Sequence, residues 1–198
     1  MSRYKKVLLI VLWVLFLLCV SFVAFFAFTA PERDKIAVQN VPSSYQIISQ
    51  ENFIDYQSVN ECSAYASAFV MRHLGKRVVG LDLYKGVKRT FGFASAFSVE
   101  RLFGDNGFSA KAYHGDVETL KKRVSGGVPV IAFINNDNDT HYVVVVGYDN
   151  ENFYLVDSIR ENANADGGWY NRKLSIVEFE RVWKTNAYFT GNVYIVAE

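Results

Sequence analysis

Residues 7–28 form an apolar run interrupted by the hydroxyl of Ser21 and the weakly polar Cys19, and by no charge. A bilayer core takes about 20 apolar residues in a helix, so the run is long enough to span one. Arg3, Lys5 and Lys6 precede it, whereas Glu32, Arg33, Asp34 and Lys35 after it balance. The positive-inside rule then puts the N-terminus in the cytoplasm and the rest of the chain outside. A cleaved signal peptide is the alternative, but its apolar core is usually about 7–15 residues. Cleavage after Ala27 or Ala30 also puts Phe25 or Phe28 where a small residue is wanted. The pattern predicts an uncleaved single-pass anchor, with the lipid bilayer as a partner through residues 7–28. Leu17 and Leu18 before Cys19 lack the small residues of a lipoprotein signal.

Beyond the run the pattern becomes that of a globular protein. Residues 31–44, with Pro31, Pro42, Ser43, Ser44 and mixed charges, read as a linker. Residues 45–198 read as one domain, opening on a short edge strand over 45–48. Ala64, Ala68, Met71 and Leu74 recur at helical spacing, and Gly75 ends that helix. A second helix is expected over 81–90, with Leu81, Tyr84 and Val87 at spacing three. A third is expected over 97–103, ending at Gly104. Residues 109–113 suit a strand. Asp116 caps a helix through Val124, with Leu120 and Val124 inward and Gly126-Gly127 closing it.

Strands dominate the second half. Residues 128–134 and 141–148, the latter with four consecutive valines, are continuous apolar runs suited to buried strands. A turn over 149–152 leads into a strand over 153–156. Residues 169–174 suit a further strand. Ser175 then caps a helix with Val177, Phe179 and Trp183 inward, and the last strand is expected over 187–196. Helices first and an antiparallel sheet second make the fold class α+β.

Composition narrows the function. The chain has 198 residues, 51% of them hydrophobic, enough for a sizeable core. A net charge of +1, with no basic patch interleaved with aromatics, argues against a nucleic-acid partner. There is no repeat of fixed period. No Walker-type Gly-Lys-Ser/Thr loop occurs, so the chain is not expected to be a transporter. Cys19 lies in the apolar run and Cys62 beyond it, so they cannot pair within one folded chain. Cys62 opens its predicted helix, where the helix dipole and free backbone N–H groups favour a thiolate. The same position also suits a buried packing thiol. Gln57 lies five residues upstream, near enough for its amide to point into the same site.

Three histidines exist. His73 falls three turns along the helix from Cys62 and cannot touch it. His114 ends a strand with no partner nearby in sequence. His141 follows a polar loop over 135–140 and opens the valine-rich strand, at the edge of a core where a cleft can form. Asp157 ends the strand paired with it. Reflecting Asp157 through the hairpin turn gives position 144, three residues inside His141. A bulge, a longer loop or a diagonal contact would be needed to bring the two side chains together. A thiol needs a base within hydrogen-bond reach, and that imidazole later protonates the leaving amine. An acid on the other ring nitrogen fixes the tautomer, and an amide donor such as Gln57 stabilises the oxyanion. No cofactor is expected, and the His and Cys spacing fits no tetrahedral zinc pattern.

Four segments in this order carry a resemblance: Gln57-x4-Cys62; the run 120–134 (Leu-Lys-Lys-Arg-Val-Ser-Gly-Gly-Val-Pro-Val-Ile-Ala-Phe-Ile); His141-Tyr-Val-Val-Val-Val-Gly-Tyr-Asp149; and Phe153-Tyr-Leu-Val-Asp157-Ser. Together they resemble the papain-like cysteine peptidase superfamily. More narrowly they are similar to the bacteriocin-processing, double-glycine leader peptidase family and its stand-alone bacterial relatives. Residues 175–183 resemble that family's closing helix, and the likeness covers nearly all of residues 50–198. It implies a papain-like fold, with Cys62 as nucleophile, His141 as base, Asp157 as orienting acid and Gln57 as oxyanion donor, acting on a peptide or protein substrate. Two positions depart from the family pattern. Ser63 stands where glycine is usual, and Val156-Asp157-Ser158 stands where Asn-Asp-Pro is usual. Neither departure deletes one of the four groups.

The expectation is therefore a membrane-anchored cysteine peptidase whose domain lies outside the cell membrane. An acyl transferase or amidase would use the same groups. A non-catalytic peptide-binding module would share the fold without a competent triad.

Overall fold

The computed structural model describes residues 3–48, 51–89, 92–137, 139–185 and 191–198. The chain divides into two units, Met1–Ala30 and Pro31–Glu198. The first is the helix α1 (Arg3–Thr29), of which Arg3–Phe25 is long and apolar enough to cross a membrane. Its large apolar side chains, Leu8, Trp13, Phe16 and Leu18 among them, stand exposed. An apolar helix exposed on all sides is poorly matched to water.

The second unit is built on one sheet. Its strands are β1 (Glu32–Arg33), β2 (Tyr45–Gln46), β3 (Ala110–His114), β4 (Val130–Asn136), β5 (Asp139–Tyr148), β6 (Asn152–Val156), β7 (Arg172–Ser175) and β8 (Val193–Ala197). The order across the sheet is β1-β3-β8-β4-β5-β6-β7, with β2 also paired to β5. Every pairing is antiparallel except β1 with β3. The helices are α2 (Cys62–His73), α3 (Gly80–Tyr84), α4 (Ala96–Asp105), α5 (Val117–Val124) and α6 (Ile176–Trp183). The α+β class holds, with N-terminal helices packed on a largely antiparallel sheet.

Both faces of the sheet are covered. Ala68 and Met71 of α2, Leu83 of α3 and Phe103 of α4 pack with Val144, Val146 and Ile195 on one face. Leu120 of α5 and Phe179 and Trp183 of α6 pack with Val143, Val145 and Leu155 on the other. This is why β4, β5 and β8 read as continuous apolar runs rather than alternating ones. α2 is buried from Ser63 to Met71 on every side, so it is the central helix of its layer. Its small residues, Ala64, Ala66 and Ala68, let neighbouring elements approach closely.

Local chemistry fixes the helix ends. Asp116 caps α5 and Ser175 caps α6, each in a reciprocal capping box. The second expected helix is short, because the chain turns at Lys85-Gly86, and its inward residues are Leu83 and Val87 while Leu81 is exposed. α6 turns Phe179 and Trp183 inward as expected, but Val177 faces solvent and Ile176 packs instead. Residues 193–197 supply the last strand, and 187–190 of the expected span lie outside the described residues.

β5 carries a one-residue bulge, its register with β6 shifting between Val145 and Gly147. Val146 is the extra residue. The bulge swaps the alternation along the strand. Val144 and Val146 face the α2 layer, while Val145 and Tyr148 face the α5–α6 layer. Gly147 fits there because a Cβ would lie 2.7 Å from the Tyr45 carbonyl oxygen, where β2 crosses.

Part of the stretch read as a linker is docked on the domain. Glu32–Arg33 pairs with β3, and Asp34 is buried. Its carboxylate accepts from Arg123 Nε at 2.7 Å and Nη2 at 3.0 Å, from the Tyr194 hydroxyl and from the Ile36 N–H. Burial works against the charge, but these bonds outweigh it and hold the carboxyl below its usual range. Asp34→Ala leaves the Arg123 guanidinium without its partner and is expected to cost about 3 kcal/mol of stability. A lower melting temperature for the full chain in mild detergent checks this.

Candidate active site

The end of the sheet where β5 begins and β6 stops collects the candidate groups. Asp157 follows β6 directly and is fully buried. Its Oδ1 accepts from His141 Nε2 at 2.7 Å and from the Ile159 N–H at 2.8 Å. Its Oδ2 accepts from Arg172 Nη1 at 2.7 Å and Asn162 Nδ2 at 3.0 Å. The Asn171 side chain clasps the backbone, accepting from the Asp157 N–H and donating to its carbonyl, both at 2.8 Å. Burial disfavours the charge on Asp157, but the His141 hydrogen bond leads a set of interactions that keeps its carboxyl below the ordinary value.

The β5 bulge makes the His141–Asp157 bond possible. Val144 pairs with Val156, so Asp157 continues the strand opposite position 143, not 144. Positions 143 and 141 lie on the same face, and a diagonal neighbour two residues away is within reach of a long side chain. In an unbulged hairpin the partner would be 144, whose parity sends His141 to the opposite face.

His141 is buried, and its ring lies near enough to Cys62 for the sulfur to act on its protonation. With Nε2 committed to Asp157, Nδ1 is the nitrogen left for the sulfur. Burial alone would lower the basicity of the ring. The hydrogen bond to Asp157, and the attraction of both Asp157 and Cys62, reverse this and push its pKa up to about 9.

Cys62 is the first residue of α2, half-buried. The Glu61 carbonyl takes the Ala64 and Tyr65 N–H groups, and the buried Glu61 carboxylate accepts from the Ser58 N–H. Those bonds fix the turn that presents the thiol. Cys62 borders a cleft of 170 Å³ with Ser63, Ala94, Phe133, Thr140 and Tyr142. Ser63, which departs from the pattern resembled above, is buried, and its carbonyl accepts from the Ser67 hydroxyl. The helix start is regular around it.

Gln57 comes to the same end of the sheet by another route. Its backbone N–H donates to the Ser158 carbonyl at 2.9 Å, and its Oε1 accepts from the Ser158 hydroxyl at 2.9 Å. The structure thus joins His141 to Asp157 by a hydrogen bond, brings Cys62 near the same ring, and ties Gln57 to the residue after Asp157. His73 lies elsewhere, bonded to the Gly127 carbonyl. Arg172, Asn171 and Asn162 were not singled out in the sequence. The signal available was a pair of long polar residues opening β7, the strand next to the one that ends at the candidate acid. Among the described residues no group of three or more His, Cys, Asp or Glu is placed to hold a metal.

The model of the Peptidase C39 family matches residues 50–192. Among solved structures, the peptidase domain of Streptococcus ComA, a bifunctional ABC transporter of a quorum-sensing pathway, is similar at 18% identity and a TM-score of 0.59, covering 74% of this chain and 96% of that one. A double-glycine-motif protease from an AMS/PCAT transporter, in complex with the leader peptide, aligns at 19% identity and a TM-score of 0.55, covering 77% and 97%. Xylellain, a cysteine protease from Xylella fastidiosa, aligns at 13% and 0.56, covering 84% and 91%. No curated protein matches. At these identities the structural likenesses establish the fold.

The raised pKa of His141 makes a prediction about stability. A group whose folded value exceeds its unfolded one stabilises fully below the unfolded value, about 6.5. That contribution is lost as pH rises through about 9. The stability gap between the full chain and its His141→Gln variant, from denaturation midpoints in mild detergent, is expected to narrow across this window. A gap independent of pH contradicts the coupling.

Proposed function

The chain belongs to the Peptidase C39 family and is a cysteine peptidase, and we propose that it hydrolyses peptide bonds through Cys62, His141, Asp157 and Gln57. The observation that carries this reading is the 2.7 Å hydrogen bond from the His141 ring to the buried Asp157 carboxylate, with Cys62 near enough to the same ring to raise its basicity. His141 Nδ1 takes the thiol proton, and the thiolate attacks the scissile carbonyl carbon. Asp157 holds the ring in the orientation that keeps Nδ1 toward sulfur and stabilises the imidazolium. The imidazolium then protonates the leaving amine, and water, deprotonated by the same ring, releases the acyl group.

The tetrahedral oxyanion needs donors placed before it forms. Gln57 Oε1 is engaged by Ser158, so the NH2 end is the one left to donate. The Cys62 N–H is a second donor, because the first N–H groups of a helix have no acceptor within it. A peptide substrate is supported by the relative whose structure holds a leader peptide. Hydrolysis outside the cell is supported by the apolar length of α1 and by Arg3, Lys5 and Lys6 before it, which the positive-inside rule keeps on the cytoplasmic side.

Cys62→Ala is expected to abolish both hydrolysis and labelling by an electrophilic peptide probe, with the circular dichroism spectrum unchanged. Labelling of Cys62 that fails from mildly acidic to mildly alkaline pH overturns the assignment. Gln57→Ala is expected to lower kcat about 100-fold with little change in KM, the usual loss for one oxyanion donor.

A further inference from the structure

The residue after Asp157 has its own partner in the site. Ser158 is buried. Its hydroxyl donates to Gln57 Oε1 at 2.9 Å, and its carbonyl accepts the Gln57 backbone N–H at 2.9 Å. Gln57 is therefore held at two points, one on the main chain and one at the tip of its side chain.

The tip matters because a carboxamide has two ends of opposite character and nearly equal size. Oε1 accepts and Nε2 donates. Shape alone does not choose which end faces a substrate, and a flip would aim a carbonyl oxygen at a developing oxyanion. Ser158 makes the choice by hydrogen-bond accounting. Its hydroxyl proton, out of water, is spent on Oε1. Turning Nε2 toward Ser158 would strand that proton in a buried place, which is costly. The stable orientation keeps Oε1 on Ser158 and leaves Nε2 as the outward donor.

We propose that Ser158 is a positioning residue of the oxyanion site, its hydroxyl locking the Gln57 carboxamide with the NH2 end toward the reacting carbonyl. The inference rests on Gln57 being the oxyanion donor. It gives the dipeptide Asp157-Ser158 two tasks. The first side chain orients His141, and the second orients Gln57. One strand end thereby sets both the proton-transfer geometry and the oxyanion geometry. Proline, usual at this position in the resembled pattern, has no hydroxyl to do this, so the lock is a property of this chain.

The test uses two small reagents that react with the same sulfur by different routes. Iodoacetamide alkylates Cys62 by displacement of iodide, and no oxyanion forms. p-Nitrophenyl acetate acylates Cys62 through a tetrahedral oxyanion. There the S–C bond forms, the bond to p-nitrophenolate breaks, and the thiol proton passes to His141. Both rates are measured on the full chain in mild detergent with Cys19→Ser as background. Ser158→Ala is expected to slow acylation about tenfold, the effect of one lost hydrogen bond of ordinary strength, and to leave alkylation unchanged. Ser158→Thr, which keeps the hydroxyl, is expected to restore acylation. In a Gln57→Ala background Ser158→Ala is expected to have no further effect.

If Gln57→Ala slows acylation while Ser158→Ala does not, the positioning role is overturned and the oxyanion donor stands. If Gln57→Ala also leaves acylation unchanged, the oxyanion reading falls and this proposal with it. If Ser158→Ala slows alkylation as much as acylation, Ser158 acts on the thiol or the fold rather than on Gln57, and the proposal is overturned.

Discussion

The buried carboxylate of Asp157 accepts four hydrogen bonds, from His141, Ile159, Asn162 and Arg172, and without them a charge could not be kept out of water there. An unpaired buried carboxylate would take up a proton instead. Its burial and its partners are therefore one fact seen from two sides. Arg172 and Asn162 occupy Oδ2 and leave Oδ1 for the imidazole, so the ring has one favourable orientation. Asn171 fixes the main chain beneath it. In the proposed mechanism this network defines which nitrogen of His141 faces sulfur.

The sheet supplies the geometry that the carboxylate exploits. A bulge at Val146 changes the parity of β5 relative to β6, and Gly147 lets β2 cross at the bulge without a clash. The first turn of α2 brings the thiol to the same end from the layer on one face. The central helix is buried along most of its length, so its N-terminus has little freedom to drift. A site assembled from a helix start, two strand ends and a loop is held by packing on both faces of one sheet rather than by any one element.

Much of this was legible in the chain because the chemistry falls at element boundaries, and boundaries carry signals. Cys62 precedes a small-residue helical stripe, His141 opens the valine run, and Asp157 closes the strand after a clear turn. The register between His141 and Asp157 was not legible. Four consecutive valines look alike, and nothing in their side chains marks which one is extra. Arg172 and Asn171 were also hidden, since a long irregular loop separates them from Asp157 and offers no mirror to reflect through. The docking of Asp34 is not legible in the sequence for a similar reason. One buried ion pair has no period, and Pro31, Pro42 and the serines around it resemble any linker. Val177 faces solvent against expectation because helical spacing alone does not say which of two adjacent apolar residues, Ile176 or Val177, faces the sheet.

The central claim is that a thiol, an imidazole, a carboxylate and one amide act as a unit on a peptide carbonyl. A crystal structure of the protein treated with a peptide aldehyde tests it most directly. The account predicts a hemithioacetal on Cys62, its oxygen within hydrogen-bond distance of Gln57 Nε2 and the Cys62 N–H, and His141 still bonded to Asp157. An aldehyde that leaves Cys62 unmodified contradicts the account. So does an adduct whose oxygen turns away from Gln57.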